Sequence, residues 1–339
     1  MRTVLLCARF DSNQTVIYMP AEIQSDGVNE LRKDYVLDRW VIIAGNRGKR
    51  PHQFLKPAEN KNVGVCFFCP GNENLTPPET GRLEEGGKWA IRIFPNKFPA
   101  VELKGNSLIR TDNLYYTFSA AYGAHEVLVE SPSHTDDFGD LSEKRIRQIL
   151  EMYTKRINAL EKQQGVKYVL IFKNQGDDAG TSLVHTHTQI TSINKIPTIV
   201  EQEIEANKGG CKYCDIIQRE KGSYRRIMEN SCVSFTPYAS RFPMEAWIFP
   251  KRHVKRLEDF NDAELNDLAK QMKHILSKLK AINAPYNFFL HYAPSGADLH
   301  FRIEITPRLA KWAGLELGSG IVINIMPPEN AAKFYRGEE

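Results

Sequence analysis

The sequence predicts an α+β protein built from two similar halves. Three observations support this prediction. One order of features occurs twice along the 339 residues: a Cys-x-x-Cys pair, a strand, a proline followed by a histidine, a capped helix, a buried strand, a glycine-containing loop and a polar strand. Each half contains one long amphipathic helix pattern. Short apolar runs of strand length flank each of these helices.

The elements of the first half follow from its apolar pattern. Asp140 is expected to cap a helix, with Glu143 at the capping-box position, and an apolar stripe from Ile146 to Leu160 stops before Gly165. Strand-like runs lie before and after this helix. They cover residues 35–43, 89–94, 126–130 and 168–172. The helix therefore falls between the third and the fourth of these strands.

The second half repeats the plan. Asn261 and Glu264 form a second capping box, and an apolar stripe from Leu265 to Leu279 follows them. Residues 201–208 are polar and are expected to connect the two halves. The strand-like runs of this half lie at residues 246–249, 287–292 and 299–305.

The repeat also predicts how the chain is divided. Residues 31–195 are expected to form the first half and residues 196–339 the second. Residues 1–30 are interpreted as an N-terminal extension with short strands at 4–9 and 15–19. Arg9 and Asp11 interrupt the apolar start at once, so these residues predict a first strand and not a signal peptide.

Composition indicates an ordinary soluble globular protein. Hydrophobic residues make up 42% and charged residues 25% of the chain. No run of about 18 apolar residues occurs, which argues against a membrane span. The formal charge of +4 is spread along the sequence, which favours phosphorylated small molecules over nucleic acid. A basic loop at residues 46–51 is either a phosphate contact or a solvated turn. We expect a cytoplasmic protein.

The cysteines predict metal sites. Besides Cys7 and Cys232 they form two Cys-x-x-Cys pairs, which favour metal over disulfides in a chain without an export signal. A structural zinc site takes four sulfur or nitrogen ligands, and each half supplies four such residues in the same order. The predicted sets are Cys66, Cys69, His134 and His185 in the first half and Cys211, Cys214, His253 and His300 in the second.

The most informative stretch is residues 184–190, where two histidines and a glutamine alternate with threonines. This alternation predicts a strand that presents His185, His187 and Gln189 on one face. Imidazoles in such a strand can be metal ligands, nucleophiles, bases or buried structural groups. The matching positions of the second half hold His300, Arg302 and Glu304. Because only the first histidine recurs, His185 is expected to bind metal and His187 to stay free.

A free imidazole beside a phosphate-binding loop can act as a nucleophile. Residues 172–182 form a polar, glycine-punctuated loop whose backbone amides, together with Asn174 and Ser182, suit a phosphate. His187 would attack phosphorus to give a phosphoramidate that a second acceptor opens. Gln189 would donate to a non-bridging oxygen as charge develops in the transition state.

Further motifs accompany this stretch. They are Arg39-Trp40-Val41 with Arg47-Gly48-Lys49-Arg50-Pro51, Asn96-Lys97-Phe98-Pro99-Ala100, Ser131-Pro132-Ser133-His134, Lys173-Asn174-Gln175-Gly176 through Gln189, and the C-terminal residues 303–308 and 314–316. With these motifs the sequence resembles the galactose-1-phosphate uridylyltransferase family, the transferase branch of the histidine-triad superfamily. The resemblance covers residues 31–336, nearly the whole chain.

The resemblance implies an α+β fold of two histidine-triad-like halves, each an antiparallel sheet packed with helices, and usually a homodimer. It implies that His187 takes the nucleoside monophosphate. The implied substrate-binding residues fall into three groups. Phosphate contacts are Gln189, Asn174 and Ser182, with Gly180 in the same loop. Nucleotide contacts are Arg47, Arg50, Asn96 and Phe98. Contacts to the hexose phosphate and sugar hydroxyls are Lys311 and Glu316.

The chain departs from the family pattern at three positions. Thr186 stands where many members have proline between the histidines. Lys97 stands where well-known uridylyltransferases have an acidic residue, which bears on the choice of base. Arg302 replaces a histidine that is common in the second-half strand, so a second nucleophile there is excluded.

The expected function is transfer of a nucleoside monophosphate from a nucleotide sugar to a hexose 1-phosphate, by a ping-pong mechanism through His187. The alternative is an ADP-sugar or dinucleotide polyphosphate phosphorylase that uses inorganic phosphate or a nucleotide as acceptor. A zinc-stabilised nucleotide-binding protein without activity and a nucleic-acid-binding protein are the hypotheses from other classes. The first predicts binding without turnover, and the second would require aromatics interleaved with a basic stripe.

Overall fold

The computed structural model describes residues 29–44, 64–112, 114–181 and 183–338. The strands are β1 Glu30–Lys33, β2 Trp40–Ile43, β3 Gly81–Glu85, β4 Lys88–Pro95, β5 Arg110–Asp112, β6 Tyr116–Phe118, β7 His125–Val129, β8 Tyr168–Gln175, β9 His187–Ile193, β10 Arg226–Glu229, β11 Cys232–Phe235, β12 Ala246–Pro250, β13 Tyr286–His291, β14 Arg302–Pro307 and β15 Val322–Asn324. The helices are α1 Glu143–Glu161, α2 Thr198–Ala206, α3 Lys212–Glu220, α4 Asp262–Ala281, α5 Gly314–Ser319 and α6 Pro328–Arg336.

The central feature is a ten-stranded sheet of order β10-β11-β12-β14-β13-β8-β9-β7-β4-β3. All of its neighbouring strands are antiparallel. Strands β8 and β13 meet in the middle, where Phe172 lies opposite Phe289. Outward from this junction the strands follow the same order on both sides. The predicted α+β fold with a repeated antiparallel unit is confirmed, and the two units share one sheet.

Helices α1 and α4 lie side by side on one face of this sheet and build the main core. Ile149 and Tyr153 of α1 and Met272 and Leu276 of α4 are fully buried together with Ile171 of β8. Each such apolar side chain stabilises the fold by roughly 1.5–3 kcal/mol relative to exposure. Both predicted apolar stripes therefore face the core. The opposite face of the sheet is left for polar side chains of β8, β9, β13 and β14.

One of the two predicted helix caps is confirmed and the other is wrong. At α4, Glu264 N donates to Asn261 Oδ1 at 2.9 Å and Asn261 N donates to Glu264 Oε2 at 3.0 Å, which forms the predicted capping box. At α1 the cap is Ser142, whose hydroxyl accepts from Arg145 N at 3.1 Å. Asp140 instead accepts from Asp137 N at 2.8 Å in a short 3-10 turn before the helix. The 3-10 turn ends at Asp140 and the helix begins at Glu143, so Ser142 holds the N-cap position directly before the helix.

Several predicted boundaries also differ from the structure. Strand β2 holds only the end of the predicted run 35–43, since residues 35–38 form a bend. Strand β8 continues through Gln175 into the predicted loop, because Lys173 is buried against a partner charge. Strand β9 begins at His187, so His185 precedes it. The predicted connector at 201–208 lies largely in helix α2, where Glu203 is completely buried.

The predicted extension strands at 4–9 and 15–19 and the residues Arg47, Arg50 and Ser182 lie outside the described residues. The division of the chain at residue 195 stays a prediction. Among the residues that the structure describes, no helix combines the length and apolar character needed to cross a bilayer.

Candidate active site and metal centres

The first predicted ligand set converges on one point. Cys66 and Cys69 lie in a turn before β3, His134 follows β7, and His185 precedes β9. Cys69 Sγ lies 3.4 Å from His134 Nδ1 and 3.6 Å from His185 Nδ1, and Cys66 Sγ lies 3.6 Å from His185 Nδ1. The four ligand atoms all lie within 4.8 Å of one another.

The second set has the same geometry in the second half. Cys214 Sγ lies 3.4 Å from His253 Nδ1 and 3.5 Å from His300 Nδ1. Cys211 Sγ lies 3.8 Å from His300 Nδ1. These four ligand atoms are also within 4.8 Å of one another. The repeat seen in the sequence is therefore repeated in three dimensions at the level of single atoms.

Both sets fit a tetrahedral zinc ion. Zinc–sulfur bonds of about 2.3 Å and zinc–nitrogen bonds of about 2.0 Å at tetrahedral angles place sulfur and nitrogen about 3.6 Å apart. His185 and His300 donate through Nε2 to Ser131 O at 2.8 Å and Pro250 O at 2.9 Å, which turns the Nδ1 lone pairs toward the thiols. His253 Nε2 lies 2.8 Å from Asp298 Oδ1 in the same sense.

Without a bound ion the thiols of both sets keep their protons. Burial, together with the neighbouring Cys66 thiol, raises the pKa of Cys69 to about 11. Burial and the neighbouring Cys211 raise the pKa of Cys214 to about 12. A metal ion held by either set would supply the positive charge that lets the two adjacent thiols lose their protons.

His187 is a buried, neutral imidazole with one nitrogen available for chemistry. Its Nδ1 lies 2.9 Å from the carbonyl oxygen of His185, and because a carbonyl only accepts, Nδ1 carries the proton. Nε2 therefore carries the lone pair of the neutral ring. Burial, assisted by the charge of Lys173, lowers the pKa of His187 to about 4. The ring of Phe68, from the Cys66 turn, packs edge-on at 5.4 Å between centroids.

Gln189 lies on the same face of β9 as His187, and a residue that the sequence did not indicate controls it. His125, at the start of β7, approaches Gln189 Oε1 with Nε2 at 2.8 Å. The backbone N–H of Ala100 donates to His125 Nδ1 at 3.2 Å, so Nε2 carries the proton and donates to Gln189. Burial lowers the pKa of His125 and favours this neutral form. The NH₂ group of Gln189 is thereby turned away from His125.

A buried ion pair holds strand β9 on the face opposite to His187 and Gln189. Lys173 Nζ donates to Glu130 Oε2 at 2.7 Å, to Thr186 Oγ1 at 2.9 Å and to the carbonyl oxygen of His187 at 3.0 Å. The hydroxyls of Thr186 and Thr188 also donate to the Glu130 carboxylate. Lys173 and Glu130 are both inaccessible to solvent. Thr186 and Thr188 therefore anchor one face of the strand to Glu130. His187 and Gln189 lie on the other face.

Asn174 lies at the end of β8, two residues beyond Phe172, which pairs with Gln189, so its side chain shares the face of Gln189. Its Oδ1 accepts from Asn287 Nδ2 at 2.8 Å, and the same Asn287 group donates to Ala179 O at 2.8 Å. Gly180 follows in the left-handed conformation with φ 85°, which suits glycine. The predicted phosphate loop is therefore a short 3-10 turn fixed from the second half.

The other predicted substrate-binding residues that the structure describes are Asn96, Phe98, Lys311 and Glu316. Asn96 Oδ1 accepts from Phe98 N at 2.9 Å, and its Nδ2 lies 3.3 Å from His125 Nε2, so it borders the site. The Phe98 ring is exposed. Lys311 pairs with Asp178 of the loop at 3.2 Å. Glu316 accepts from Ala313 N and Ile323 N at 2.9 and 3.3 Å at the start of α5.

Sequence reasoning missed His125, Asn287 and the Lys173–Glu130 pair. His125 lies two residues before Val127 on β7, and Val127 is the register partner of Gln189. The period of two could therefore have placed His125 on the face of Gln189. Asn287 begins a strand in the other half, and no local signal connects it with Asn174. Lys173 was assigned to the polar, glycine-punctuated loop 172–182, whereas it lies in β8 and is buried against Glu130.

Comparisons with known proteins identify the family of this chain. The family model described as galactose-1-phosphate uridyl transferase, N-terminal domain, matches residues 20–197, more than half of the chain. A model of a domain of unknown function, DUF4921, matches residues 121–334. The chain therefore belongs to the galactose-1-phosphate uridylyltransferase family and is an enzyme of the nucleotidyltransferase kind.

Particular relatives extend this result. An ADP-glucose phosphorylase of Arabidopsis thaliana is 34% identical over 328 residues, covering 91% of this chain and 92% of that protein. A galactose-1-phosphate uridylyltransferase of Thermotoga maritima is 29% identical over 331 residues, covering 91% of this chain and 98% of that protein. The crystal structure of an Arabidopsis thaliana ADP-glucose phosphorylase with bound ADP-glucose superposes with a TM-score of 0.78 at 32% identity, covering 91% of this chain and 99% of that one.

Proposed function

We propose that this chain transfers a nucleoside monophosphate from a nucleotide sugar to a hexose 1-phosphate through a covalent intermediate on His187. The observation that carries the proposal is the hydrogen bond from His187 Nδ1 to the carbonyl oxygen of His185. It leaves the Nε2 lone pair as the only nucleophile of the ring. A metal held by Cys66, Cys69, His134 and His185 would keep that carbonyl in place.

The first step exchanges one bond at phosphorus for another. The Nε2 lone pair of His187 attacks the α-phosphorus of the nucleotide sugar and forms a nitrogen–phosphorus bond. The bond from that phosphorus to the bridging oxygen breaks, and the sugar 1-phosphate leaves with the oxygen and its electron pair. The imidazole ring becomes positively charged, and the Nδ1–H bond to His185 O stabilises that charge.

The second step reverses the first with a new partner. A phosphate oxygen of the acceptor attacks the same phosphorus, the nitrogen–phosphorus bond breaks, and the electron pair returns to Nε2 of His187. The NH₂ groups of Gln189 and Asn174 are on the face where they can donate to the non-bridging oxygens in both steps. No proton is gained or lost overall, so positioning and electrostatics supply the acceleration.

A trapping experiment tests the intermediate. The enzyme is incubated with a nucleotide sugar that carries radioactive phosphorus in the α-phosphate, and in parallel with one labelled in the sugar. We expect protein-bound label from the first compound alone. His187→Gly should remove it, whereas His274→Ala, a half-buried histidine bonded to Tyr335 O at 2.7 Å and remote from the site, should retain it. Label retained in His187→Gly would disprove the assignment.

A second acceptor has its own support. The identity of 34% to an ADP-glucose phosphorylase favours ADP-glucose as donor and inorganic phosphate as acceptor, with the same intermediate. Rates with UDP-glucose and ADP-glucose as donors, each with galactose 1-phosphate, inorganic phosphate and ATP as acceptors, distinguish the two functions. Turnover that requires galactose 1-phosphate supports the first, and turnover with phosphate supports the second.

We further propose that both Cys/His sets hold zinc in a structural role, since their donor atoms and spacing suit it. Elemental analysis of protein purified without chelator should give about one zinc per set. A homodimer, a cytoplasmic location and the division into an extension at 1–30 and two halves also remain proposals. Sedimentation of the full chain tests the dimer.

A further inference from the structure

The amide groups of Gln189 and Asn174 are each held in one of two possible orientations. Gln189 and Asn174 each have one acceptor end and one donor end of nearly equal size, and only the NH₂ end can bind a phosphate oxygen. A rotation of the amide by half a turn would present an oxygen to the anion and repel it. Something other than packing has to select the productive orientation.

For Gln189 the selection comes from His125. The N–H of Ala100 can only donate, so His125 Nδ1 must accept and Nε2 must donate. Its partner at 2.8 Å is therefore the oxygen of Gln189, and not its nitrogen. The chain of bonds starts at a backbone group, which has no alternative orientation.

For Asn174 the selection comes from Asn287 across the strand junction. The carbonyl of Ala179 can only accept, so the end of Asn287 that faces it at 2.8 Å is the NH₂ group. The same NH₂ group lies 2.8 Å from Asn174, whose facing atom is therefore its oxygen. Asn174 and Asn287 are register partners on β8 and β13, so their side chains are held on one face of the sheet.

We propose, on the basis of the function proposed above, that His125 and Asn287 are positioning residues that fix Gln189 and Asn174 with both NH₂ groups directed toward the transferred phosphoryl group. In the part of the chain that the structure describes, no protein acceptor takes a hydrogen bond from either NH₂ group. Both donors are thus set before substrate binds, which is the preorganisation that transition-state stabilisation requires.

The proposal also gives the second half a part in the chemistry. His125 belongs to the same half as Gln189, but Asn287 lies on β13, 113 residues from Asn174 in sequence. The central strand pair β8–β13 therefore connects a side chain of the second half to the phosphate site of the first. Asn287 touches no substrate in this scheme and acts through Asn174 alone.

Double-mutant cycles on the first half-reaction test the proposal. Single-turnover rates of His187 labelling are measured for wild type, Gln189→Ala, His125→Ala and the double variant, and likewise for Asn174→Ala, Asn287→Ala and their double variant. Loss of one oxyanion donor lowers such a rate by about 10²–10³-fold, and we expect roughly 10-fold or more for loss of its positioning residue. Each double variant should be no slower than its Gln189→Ala or Asn174→Ala parent.

An isosteric change supplies a readout that a structural role would not move. Asn287→Asp keeps the shape but replaces the donor by an acceptor, so Asn174 should turn its NH₂ group toward residue 287 and its oxygen toward the phosphate. We expect Asn287→Asp to be slower than Asn287→Ala, with a loss in rate at saturating donor larger than the loss in donor affinity. His274→Ala and Asn158→Ala, whose Nδ2 donates to Glu258 at the surface, serve as controls and should match wild type.

The outcomes separate the two proposals. Wild-type labelling in Gln189→Ala and Asn174→Ala would refute their role in the proposed function. Slow labelling in those two together with wild-type rates in His125→Ala and Asn287→Ala, or rate losses that multiply in the double variants, would overturn the positioning roles. An Asn287→Asp variant that is faster than Asn287→Ala would also overturn them. Thermal unfolding is measured for every variant to identify any that fails to fold. If Asn287→Ala fails to fold, the rate of the isosteric Asn287→Asp relative to wild type tests the role of Asn287.

Discussion

Strand β9, which begins at His187, and strand β14, which begins at Arg302, occupy matching places in the two halves. Each follows a histidine of a Cys₂His₂ cluster, but the polar side chains on the two strands differ. In the first half His187 and Gln189 share a face of the sheet with Asn174. In the second half Arg302 and Glu304 occupy the matching positions, and helix α2 inserts Glu203 against them. Glu203 accepts from Arg302 Nη2 at 2.6 Å and from Arg302 Nη1 at 3.0 Å.

The difference separates structure from chemistry. Around Arg302, the side chains of Glu203, Glu304 and His291 are all buried, and Arg241 bonds Glu304 as well. This ion-pair network lies at the positions that match His187 and Gln189 of the first half. Both halves have a Cys₂His₂ cluster and only the first has a second histidine on the strand, which is why we assign the clusters to the fold and His187 to the proposed reaction.

The largest effect is expected at the free histidine. His187→Ala should lower turnover by about 10⁴-fold or more, since loss of a nucleophile removes the whole covalent pathway. The free energy of unfolding should fall by no more than about 1–3 kcal/mol, because the buried imidazole makes one hydrogen bond to a backbone carbonyl and a ring contact with Phe68. Steady-state kinetics and chemical denaturation measure the two effects. A variant with substantial turnover would remove the contrast between the two strands.

Loss of a metal cluster should act differently in the two halves. Cys66→Ser and Cys211→Ser should each lower the free energy of unfolding, by an amount on the order of 5 kcal/mol if zinc binding and folding are coupled. Only Cys66→Ser should also reduce turnover strongly, because His185 carries the carbonyl that fixes His187. Metal content, thermal unfolding and turnover are measured for both variants. Equal losses of turnover would argue against this connection.

Arg302 should matter for stability and little for turnover. Arg302→Ala leaves the buried carboxylates of Glu203 and Glu304 without their partner, which should lower the free energy of unfolding by about 3–5 kcal/mol. His187 and Gln189 are unaffected, so residual turnover in folded protein should stay near wild type. Arg226→Ala, at a surface pair with Glu229, is the control and should change stability by less than about 1 kcal/mol.

The same network predicts a pH dependence of stability. Burial alone would raise the pKa of Glu203, but Arg302 and His291 outweigh it and hold that pKa well below its ordinary value. A carboxylate with a lowered pKa in the folded state stabilises the protein above the pKa of the unfolded chain, about 4.3. We expect stability to fall as pH falls below this value. Denaturation curves should show a weaker fall in Glu203→Gln and an unchanged one in Glu205→Gln, whose carboxylate is exposed.

The smallest effect concerns the two long helices. Asn261→Ala removes a complete capping box and should cost about 1 kcal/mol, while Ser142→Ala removes a single hydroxyl bond and should cost the same or less. Denaturant midpoints at equal slope measure both. A larger loss for Ser142→Ala would indicate that its contact does more than cap α1.

Much of the site could be predicted because it depends on residue type and order. The eight cysteines and histidines of the two clusters were identified from spacing, and comparison of the two halves singled out His187. The helix stripes were also predictable, since a period of 3.6 is visible locally. The prediction of a helix cap at Asp140 was wrong because Ser142, two residues further on, is also a capping residue type. Only the hydrogen bonds distinguish the two residues.

The sequence by itself determined that two equivalent units exist, that each carries a four-ligand set, and that one strand holds an unmatched histidine. These are properties of composition and order along the chain. The tertiary structure alone decided which nitrogen of His187 is free, how Gln189 and Asn174 are oriented, and that Glu203 of α2 pairs with Arg302. Each of these depends on a partner distant in sequence or on a backbone group, such as Asn287 for Asn174 and Glu203 for Arg302, which only folding brings within hydrogen-bonding distance.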